Sequence, residues 1–309
     1  MRILFFGTPD FAVPSLKALL AEGTEVVGVV TQPDRPQARS RSQLLPSPIK
    51  RTAQACGIPV LQPERPSGDV LLTSLRRLAP DLGVVVAYGH ILKPAVLGVP
   101  PLGMINVHAS LLPELRGAAP VPWAILRGHP RTGVTIMQME AGLDSGPILH
   151  QVATEIGPQE TGGALASRLA DLGAQALVDS LCFIRLGTIK PTPKDDARAT
   201  YAPKIDRNAT RVCWKDSADV IARRIRAFDP APGAWCTLGD RAVELKCFGA
   251  RAVPDRGVPG TVLRLLPRLT IAAGDGAVEI REVQPAGRGR MPAADWIRGR
   301  ALALGAQLG

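Results

Sequence analysis

The sequence predicts an α/β protein of two domains, an open sheet of mainly parallel strands followed by a small β-barrel. Three observations carry that expectation. The runs Val26-Val27-Gly28-Val29-Val30 and Leu82-Gly83-Val84-Val85-Val86-Ala87 lack polar alternation, as strands do when helices cover both faces of their sheet. Through the first 90 residues such runs alternate with amphipathic stretches, the pattern of repeated βαβ units. Near the other end, short β-rich segments are divided by turn pairs such as Pro232-Gly233, Gly239-Asp240 and Pro259-Gly260, the spacing of a small barrel. The length of 309 residues, at roughly 150 per domain, also allows two domains.

In chain order, apolar and amphipathic stretches fall at 3–7, 14–21 and 25–31, then after a Pro-rich gap at 48–56, 58–60, 70–78 and 81–88. Residues 103–108 read as another buried strand, and 133–140 and 148–156 as two β-rich segments around a turn-rich loop. A long helix is expected over 161–186, with Glu160 and Thr161 near its start and Gly187 at its end. Residues 187–210 are rich in Pro, Thr, Lys and Asp and offer little burial to offset the entropy of ordering them, so a linker is expected there. A short basic helix follows at 217–228, then barrel segments at 234–238, 242–248, 260–266, 269–273 and 277–283. The domains so drawn are 1–189 and 210–309, joined by a linker over 190–209.

The composition, 46% hydrophobic and 21% charged, excludes fibrous and wholly disordered classes, while 31 Gly and 29 Pro foretell many turns. A net charge of +10 favours an anionic partner. Residues 1–199 hold 19 basic and 16 acidic groups and residues 200–309 hold 18 and 11, so most of the excess lies in the last third. Cys56, Cys182, Cys213, Cys236 and Cys247 are odd in number and form no C-x-x-C pair, which suggests neither a disulfide scaffold nor a thiolate zinc site and fits a reducing compartment. Met1 leads directly into a strand-like run, and no uncharged apolar run reaches the roughly 20 residues that span a bilayer, so a cytoplasmic protein without membrane contact is expected.

The first strand ends in Gly7-Thr8-Pro9-Asp10-Phe11, which lacks the G-x-G-x-x-G geometry of dinucleotide binding. No P-loop and no G-x-S-x-G is present. The chemistry concentrates instead in Asn106-Val107-His108-Ala109-Ser110-Leu111-Leu112-Pro113, where a central strand gives way to a loop. Period-two spacing puts Asn106 and His108 on one side of an extended chain. A neutral imidazole accepts a proton near pH 7, and an amide N–H stabilises charge developing on a carbonyl oxygen, so the pair suits transfer at an acyl-type carbon. The same two residues would also serve to tie down a strand end. Asp144, in the loop Glu140-Ala141-Gly142-Leu143-Asp144-Ser145-Gly146-Pro147, reads either as a turn residue or as a group that orients His108 and helps deprotonate an attacking amine.

A resemblance now becomes specific. Phe6-Gly7-Thr8-Pro9 with Phe11, Gln32-Pro33-Asp34-Arg35-Pro36, Pro46-Ser47-Pro48-Ile49-Lys50 and the Asn106 segment running on to Arg116-Gly117-Ala118-Ala119-Pro120 are its first landmarks. Gly133-Val134-Thr135-Ile136-Met137-Gln138-Met139, Gly142-Leu143-Asp144-Ser145-Gly146, Tyr201-Ala202-Pro203-Lys204-Ile205 and Gln284-Pro285-Ala286-Gly287 complete it. Over nearly its whole length the chain resembles the methionyl-tRNA formyltransferase family. The resemblance implies an open Rossmann-like domain followed by an OB-like barrel. It implies transfer of the formyl group of 10-formyltetrahydrofolate, without a metal, to the α-amino group of initiator methionyl-tRNA.

By the same resemblance, Asn106, His108 and Asp144 match the catalytic trio: Asn106 polarises the formyl oxygen, His108 stabilises or shuttles a proton, and Asp144 orients His108. Ser110, Leu111, Leu112 and Pro113, with Tyr88 and Gly89, are expected to meet the folate. Arg35, Arg39 and Arg41 lie in the insertion that approaches the tRNA acceptor end, where the family's usual glycine-arginine-glycine-lysine becomes Ala38-Arg39-Ser40-Arg41-Ser42, so the basic charge is kept and the glycines are lost. Lys204, Arg223 and Arg224 are the further tRNA candidates, with Arg226, Arg288, Arg290, Arg298 and Arg300 adding charge. Trp214, Trp235 and Trp296 read as core packing before base stacking, and Cys213 and Cys247 as small core residues. A monomer acting on tRNA and not DNA is expected. The runner-up is a formyltransferase acting on nucleotide-sugar amines, which would need the same chemical residues. A non-catalytic RNA-binding protein has the intact trio against it.

Overall fold

The computed structural model describes every residue except 38–39, 240–242 and 300–301; the side chains of 37 and 40–43 likewise stand outside the description. Arg39, Asp240 and Arg300 therefore lie outside the described residues, as does the side chain of Arg41. Two compact units emerge, one of Met1–Pro120, Arg131–Glu155 and Ala166–Pro203, the other of Val121–Pro130, Ile156–Leu165 and Lys204–Gly309.

The first unit begins with β1 (Arg2–Gly7), α1 (Val13–Ala21) and β2 (Glu25–Val30). The Pro-rich gap holds an unforeseen hairpin of β3 (Arg35–Gln37) and β4 (Ser40–Leu45). Then come α2 (Pro48–Ala55), β5 (Val60–Leu61), α3 (Asp69–Arg77), β6 (Leu82–Val86), a short α4 (Pro94–Leu97) and β7 (Met104–His108). The Ser47 hydroxyl caps α2 by accepting from the Lys50 N–H at 3.0 Å, and Pro48 opens the helix where a missing N–H costs nothing. After α5 (Pro120–Leu126), which but for Pro120 is counted with the second unit, come the long strands β8 (Arg131–Gln138) and β9 (Ile148–Glu155), then α6 (Gly162–Arg185), counted with the first unit from Ala166 on.

The sheet runs β5-β2-β1-β6-β7-β8-β9. It is parallel from β5 to β7, and β8 and β9 pair antiparallel at one side. This is the expected open, Rossmann-like, mainly parallel sheet. Leu4, Phe6, Val30, Val85 and Met104 line one face and bury Leu71 and Leu75 of α3 and Val96 of α4. On the opposite face α6 comes close through Gly173, where a Cβ would sit 2.8 Å from a methyl of Val107. The strand order reverses between β1 and β6, and in such sheets the crevice outside the carboxyl ends at that point is where ligands bind.

The second unit follows α7 (Ala218–Ala227) with β10 (Ala234–Leu238), β11 (Val243–Val253), β12 (Val262–Arg264), β13 (Leu269–Ala272), β14 (Ala277–Pro285), β15 (Met291–Pro292) and α8 (Ala293–Arg298). The strands form an antiparallel sheet in the order β10-β11-β14-β13-β12, with β15 on β14. The chain end bridges the two edges: Leu308 pairs with Leu238 at the end of β10, and Gln307 with Thr261 beside β12. That bridging curls the sheet into the expected OB-like barrel. Its core holds Trp214 and Trp296 with Ile221, Ile225, Leu245 and Cys247, so both tryptophans pack as expected. Cys213 is exposed, which corrects its reading as a core residue: it lies between the buried Val212 and Trp214, and alternation along the extended chain turns it outward.

The low-apolar stretch after α6 is not loose. Thr192 and Ile148 exchange two backbone bonds of 2.8 Å, Arg116 N–H donates to Thr200 O at 2.9 Å, and Ala202 N–H donates to Arg116 O at 2.7 Å. Main-chain pairing, which composition does not register, holds residues 192–202 as a strap along the first unit.

Candidate active site

At the β1/β6 reversal two side chains converge on one carbonyl. Thr8 Oγ1 and Gln32 Nε2 both donate to Tyr88 O, at 3.0 and 2.9 Å. Gly89 follows at φ +86°, and a Cβ there would lie 2.3 Å from Gln32 Nε2, so glycine is needed both for its backbone angle and for the Gln32 amide. The Tyr88 ring is buried edge-on against Phe6 with centroids 5.4 Å apart. Burial pushes its phenol up to about 12, and the hydroxyl has no partner among the described residues. Tyr88 therefore faces the crevice with its main chain and stands in the core with its ring.

On β7, Asn106 lies between Val85 of β6 and Met137 of β8, and His108 is opposite Thr135. Met104 packs in the core under α3, so alternation brings Asn106 and His108 out on that same face at the carboxyl end of the strand. Asn106 is half-buried and His108 is buried. His108 Nε2 lies 3.0 Å from Leu115 O. A carbonyl only accepts, so Nε2 carries the proton and Nδ1 is left with the lone pair. Nδ1 faces Asp144 Oδ2 at 3.8 Å. Burial lowers the His108 pKa below its ordinary value and Lys194 adds to this, while the Asp144 charge and the Leu115 carbonyl oppose it.

Asp144 sits in the left-handed region at φ +47°, uncommon for a residue other than glycine. Its Oδ2 accepts the Gly117 N–H at 2.7 Å and its main-chain oxygen accepts from Lys194 Nζ at 2.7 Å. Gly117, at φ +116°, passes so close to the strap that a Cβ would stand 2.9 Å from Ala202 O. Leu115, the residue that fixes the imidazole, is itself held by Thr200 Oγ1 accepting its N–H at 2.9 Å. The strap thus supports both loops that meet at His108.

In the loop after β7, Ser110 Oγ donates to Glu114 O at 2.6 Å, Leu112 N–H donates to Thr135 Oγ1 at 3.1 Å, and Leu112 O accepts from Gln151 Nε2 at 2.9 Å. These bonds hold the loop's form and commit the Ser110 hydroxyl proton to Glu114 O. Leu112 is buried, leaving half-buried Leu111 and Pro113 to offer apolar surface. The sequence reading missed Gln32, Leu115, Gly117 and Lys194 as parts of the site. Gln32 and Gly117 stand within motifs already singled out, whereas Lys194 lies in a stretch with no local pattern and only three-dimensional placement identifies it.

The described tRNA candidates divide between the two units, Arg35 in the first and Lys204, Arg223 and Arg224 in the second. Arg35 is exposed on β3 and donates to Gln32 Oε1. The hairpin base is tied by Asp34, which pairs with Lys50 at 2.6 Å and accepts from Gln62 at 2.7 Å; the Lys50 bond above all holds its carboxyl below the usual range. In the second unit Lys204 is exposed and Arg223 is half-buried beside Gly128. Arg224 is already paired, with Asp216 Oδ2 at 3.1 Å and Arg211 O at 3.2 Å. Arg290 bonds Asp229 and Glu282, Arg298 bonds Asp295, and Arg288 is exposed. Trp235, half-exposed, carries the guanidinium groups of Arg207 and Arg211 at 4.6 and 5.5 Å from its ring, an arrangement the core-packing reading did not foresee. Among the described residues no group of three or more His, Cys, Asp or Glu gathers as a metal site, and no helix is long and apolar enough to cross a membrane.

Residues 1–181 match the profile of the formyl transferase family, and residues 204–301 match that of the formyl transferase C-terminal domain. The chain is 47% identical over 302 residues to the methionyl-tRNA formyltransferase of Roseobacter denitrificans, covering 98% of this chain and 97% of that one. It is 50% identical over 303 residues to the methionyl-tRNA formyltransferase of Xanthomonas euvesicatoria pv. vesicatoria, covering 97% and 98%. Among solved structures, the sugar 3N-formyl transferase WlaRD superposes with a TM-score of 0.69 at 18% identity, over 94% of this chain and 99% of that one. HypX from Aquifex aeolicus in complex with tetrahydrofolic acid gives 0.67 at 21% identity, over 96% of this chain and 47% of that one. At these identities the two structures share the fold.

Proposed function

The chain belongs to the methionyl-tRNA formyltransferase family, and from that membership we propose that formyl transfer takes place at the corner where β7 meets the Asp144 loop. The enzyme moves the formyl group of 10-formyltetrahydrofolate to the α-amino group of methionyl-tRNA, giving N-formylmethionyl-tRNA and tetrahydrofolate. The folate supplies an activated formyl carbon. A half-buried amide beside an imidazole with an open lone pair is a donor and acceptor set that fits a formyl carbonyl and an attacking amine.

The single observation that carries the residue roles is the commitment of His108 Nε2–H to Leu115 O. It fixes one tautomer and leaves Nδ1 as the base. As the amine nitrogen bonds the formyl carbon, His108 Nδ1 takes the ammonium-type proton, and Asn106 donates to the formyl oxygen as charge builds there. The proton returns from His108 to the folate nitrogen as its bond to the formyl carbon breaks. Asp144 offsets the charge of the transient imidazolium across 3.8 Å. Its carboxylate is positioned by Gly117 N–H, so Leu115 and not Asp144 sets the ring's orientation.

Tyr88, Gly89 and residues Ser110, Leu111, Leu112 and Pro113 form the folate wall, chiefly through main chain and the apolar surfaces of Leu111 and Pro113. Residues 1–189 serve as the catalytic domain and 210–309 as the tRNA-binding domain. The tRNA is the initiator species, met by Arg35, Arg39, Arg41, Lys204, Arg223 and Arg224, and the enzyme works as a monomer in the cytoplasm. Formyl transfer to methionyl-tRNA, compared with uncharged tRNA and nucleotide-sugar amines, tests the reading. Transfer confined to methionyl-tRNA supports it, and transfer only to sugar amines overturns it.

A further inference from the structure

We infer that Lys194 is a positioning residue of the formyl-transfer site: its ammonium pins the Asp144 loop so that the carboxylate faces His108. The inference rests on the reading of Asp144 and His108 given above. Lys194 Nζ is 2.7 Å from Asp144 O and 3.4 Å from Met137 Sδ. Met137 is the cross-strand partner of Asn106, and such partners share a sheet face. One half-buried ammonium therefore spans the short gap between the strand that flanks Asn106 and the loop that carries Asp144.

The bond falls where the loop most needs it. Asp144 holds an αL backbone, a strained conformation for a non-glycine residue that persists only where the surroundings over-determine it. Two contacts fix it: Gly117 N–H on the side chain and Lys194 on the main chain. Since Lys194 and Thr200 both belong to the strap, the strap secures the acid through Lys194 and the base through Thr200 and Leu115.

The charges that face Lys194 are Asp144 and Glu140 from the β8–β9 loop, Arg116 from the segment before α5, Asp196 on the strap itself, and His108 on β7. Arg116 is buried and bonds Asp196 at 2.6 Å. Burial first, and then Arg116, push the Lys194 ammonium down to about 8, against the pull of Asp144, Glu140 and Asp196. The pin therefore loses its charge just above neutral pH, while the imidazole is already neutral.

The test compares the wild-type enzyme with Lys194→Met and Lys194→Arg in steady-state formyl transfer from pH 6 to 10. Lys194→Met should lower kcat about tenfold to a hundredfold with both KM values within twofold, and should abolish the alkaline fall in kcat near pH 8. Lys194→Arg, which keeps a charge that does not titrate in this range, should recover much of kcat and move that fall upward. Wild-type kcat in Lys194→Met, or an alkaline limb unaltered in both variants, overturns the inference. Amide hydrogen exchange over residues 142–146 gives a readout that needs no activity: Lys194→Met should speed exchange there by about tenfold and leave β1 and β6 unchanged. Unaltered exchange overturns the inference even if the enzyme is active, and a wild-type chain without formyl transfer overturns the functional reading separately.

Discussion

His108 Nδ1 stands 3.8 Å from Asp144 Oδ2, too far for a hydrogen bond and near enough for strong attraction once the ring takes a proton. The pair is thus set for the charged state of the ring and not for its resting state. Asp144→Asn removes the charge and keeps an oxygen for the Gly117 N–H. It should lower kcat by about 10²-fold, within the usual range for acid–base assistance, with KM nearly unchanged. A rise in KM at constant kcat, measured in steady-state formyl transfer, would place Asp144 in binding instead.

Burial lowers the His108 pKa, so between the folded value and the ordinary value near 6.5 the native protein binds fewer protons than the unfolded chain. Stability from this group is complete above about 6.5 and is lost as pH falls. The midpoint of thermal unfolding should drop from pH 7 to pH 5 more steeply in the wild type than in His108→Asn. On the acid side, kcat should hold level down through neutral pH and fall only below it. An acid limb at or above 6.5 would contradict the buried imidazole.

Gly117 combines φ +116° with a main-chain neighbour 2.9 Å from where a Cβ would go. Gly117→Ala is expected to cost about 1–3 kcal/mol of stability and to displace the N–H that holds Asp144. Calorimetry and kcat should show both losses together.

At Gly89 the obstacle is a side chain. Gly89→Ala drives a methyl into the Gln32 amide, which must give up Tyr88 O or Arg35. The crevice wall is then disturbed without touching His108. The KM for 10-formyltetrahydrofolate should rise about tenfold, equivalent to about 1.4 kcal/mol, with kcat within a few-fold. An unchanged KM would remove Gly89 from the folate wall.

Leu308 is 3% exposed where the chain end closes the barrel. Leu308→Ala should cost about 2–5 kcal/mol, as for other buried leucines. Fluorescence of Trp214 and Trp296 in the same core gives the readout during denaturant unfolding.

The sheet and the core of the site were legible because their signals are local. Unbroken valine runs announced β2 and β6, and period-two spacing placed Asn106 and His108 on one face. Asp144 carried a local signal too, but its backbone angle did not follow from the sequence, and neither did the commitment of Nε2 to Leu115. Lys194 and the strap were illegible for a different reason. Their order comes from bonds to residues about 45–85 positions earlier in the chain, and the composition of such a segment, poor in apolar side chains, resembles that of a linker. The β3–β4 hairpin was hidden in the same way among prolines and polar residues.

The strap also separates two kinds of failure. Ala202 is buried, but most of residues 190–201 are exposed, and main-chain bonds rather than a hydrophobic core hold them in place. Segments of this kind open at free energies well below that of global unfolding. Warming or mild denaturant should free the strap while β1, β6 and β7 remain intact, and release of Thr200 and Lys194 would leave imidazole and carboxylate without their alignment. Catalytic inactivation then precedes melting of the sheet, as a reversible loss of competence in a chain that is still folded.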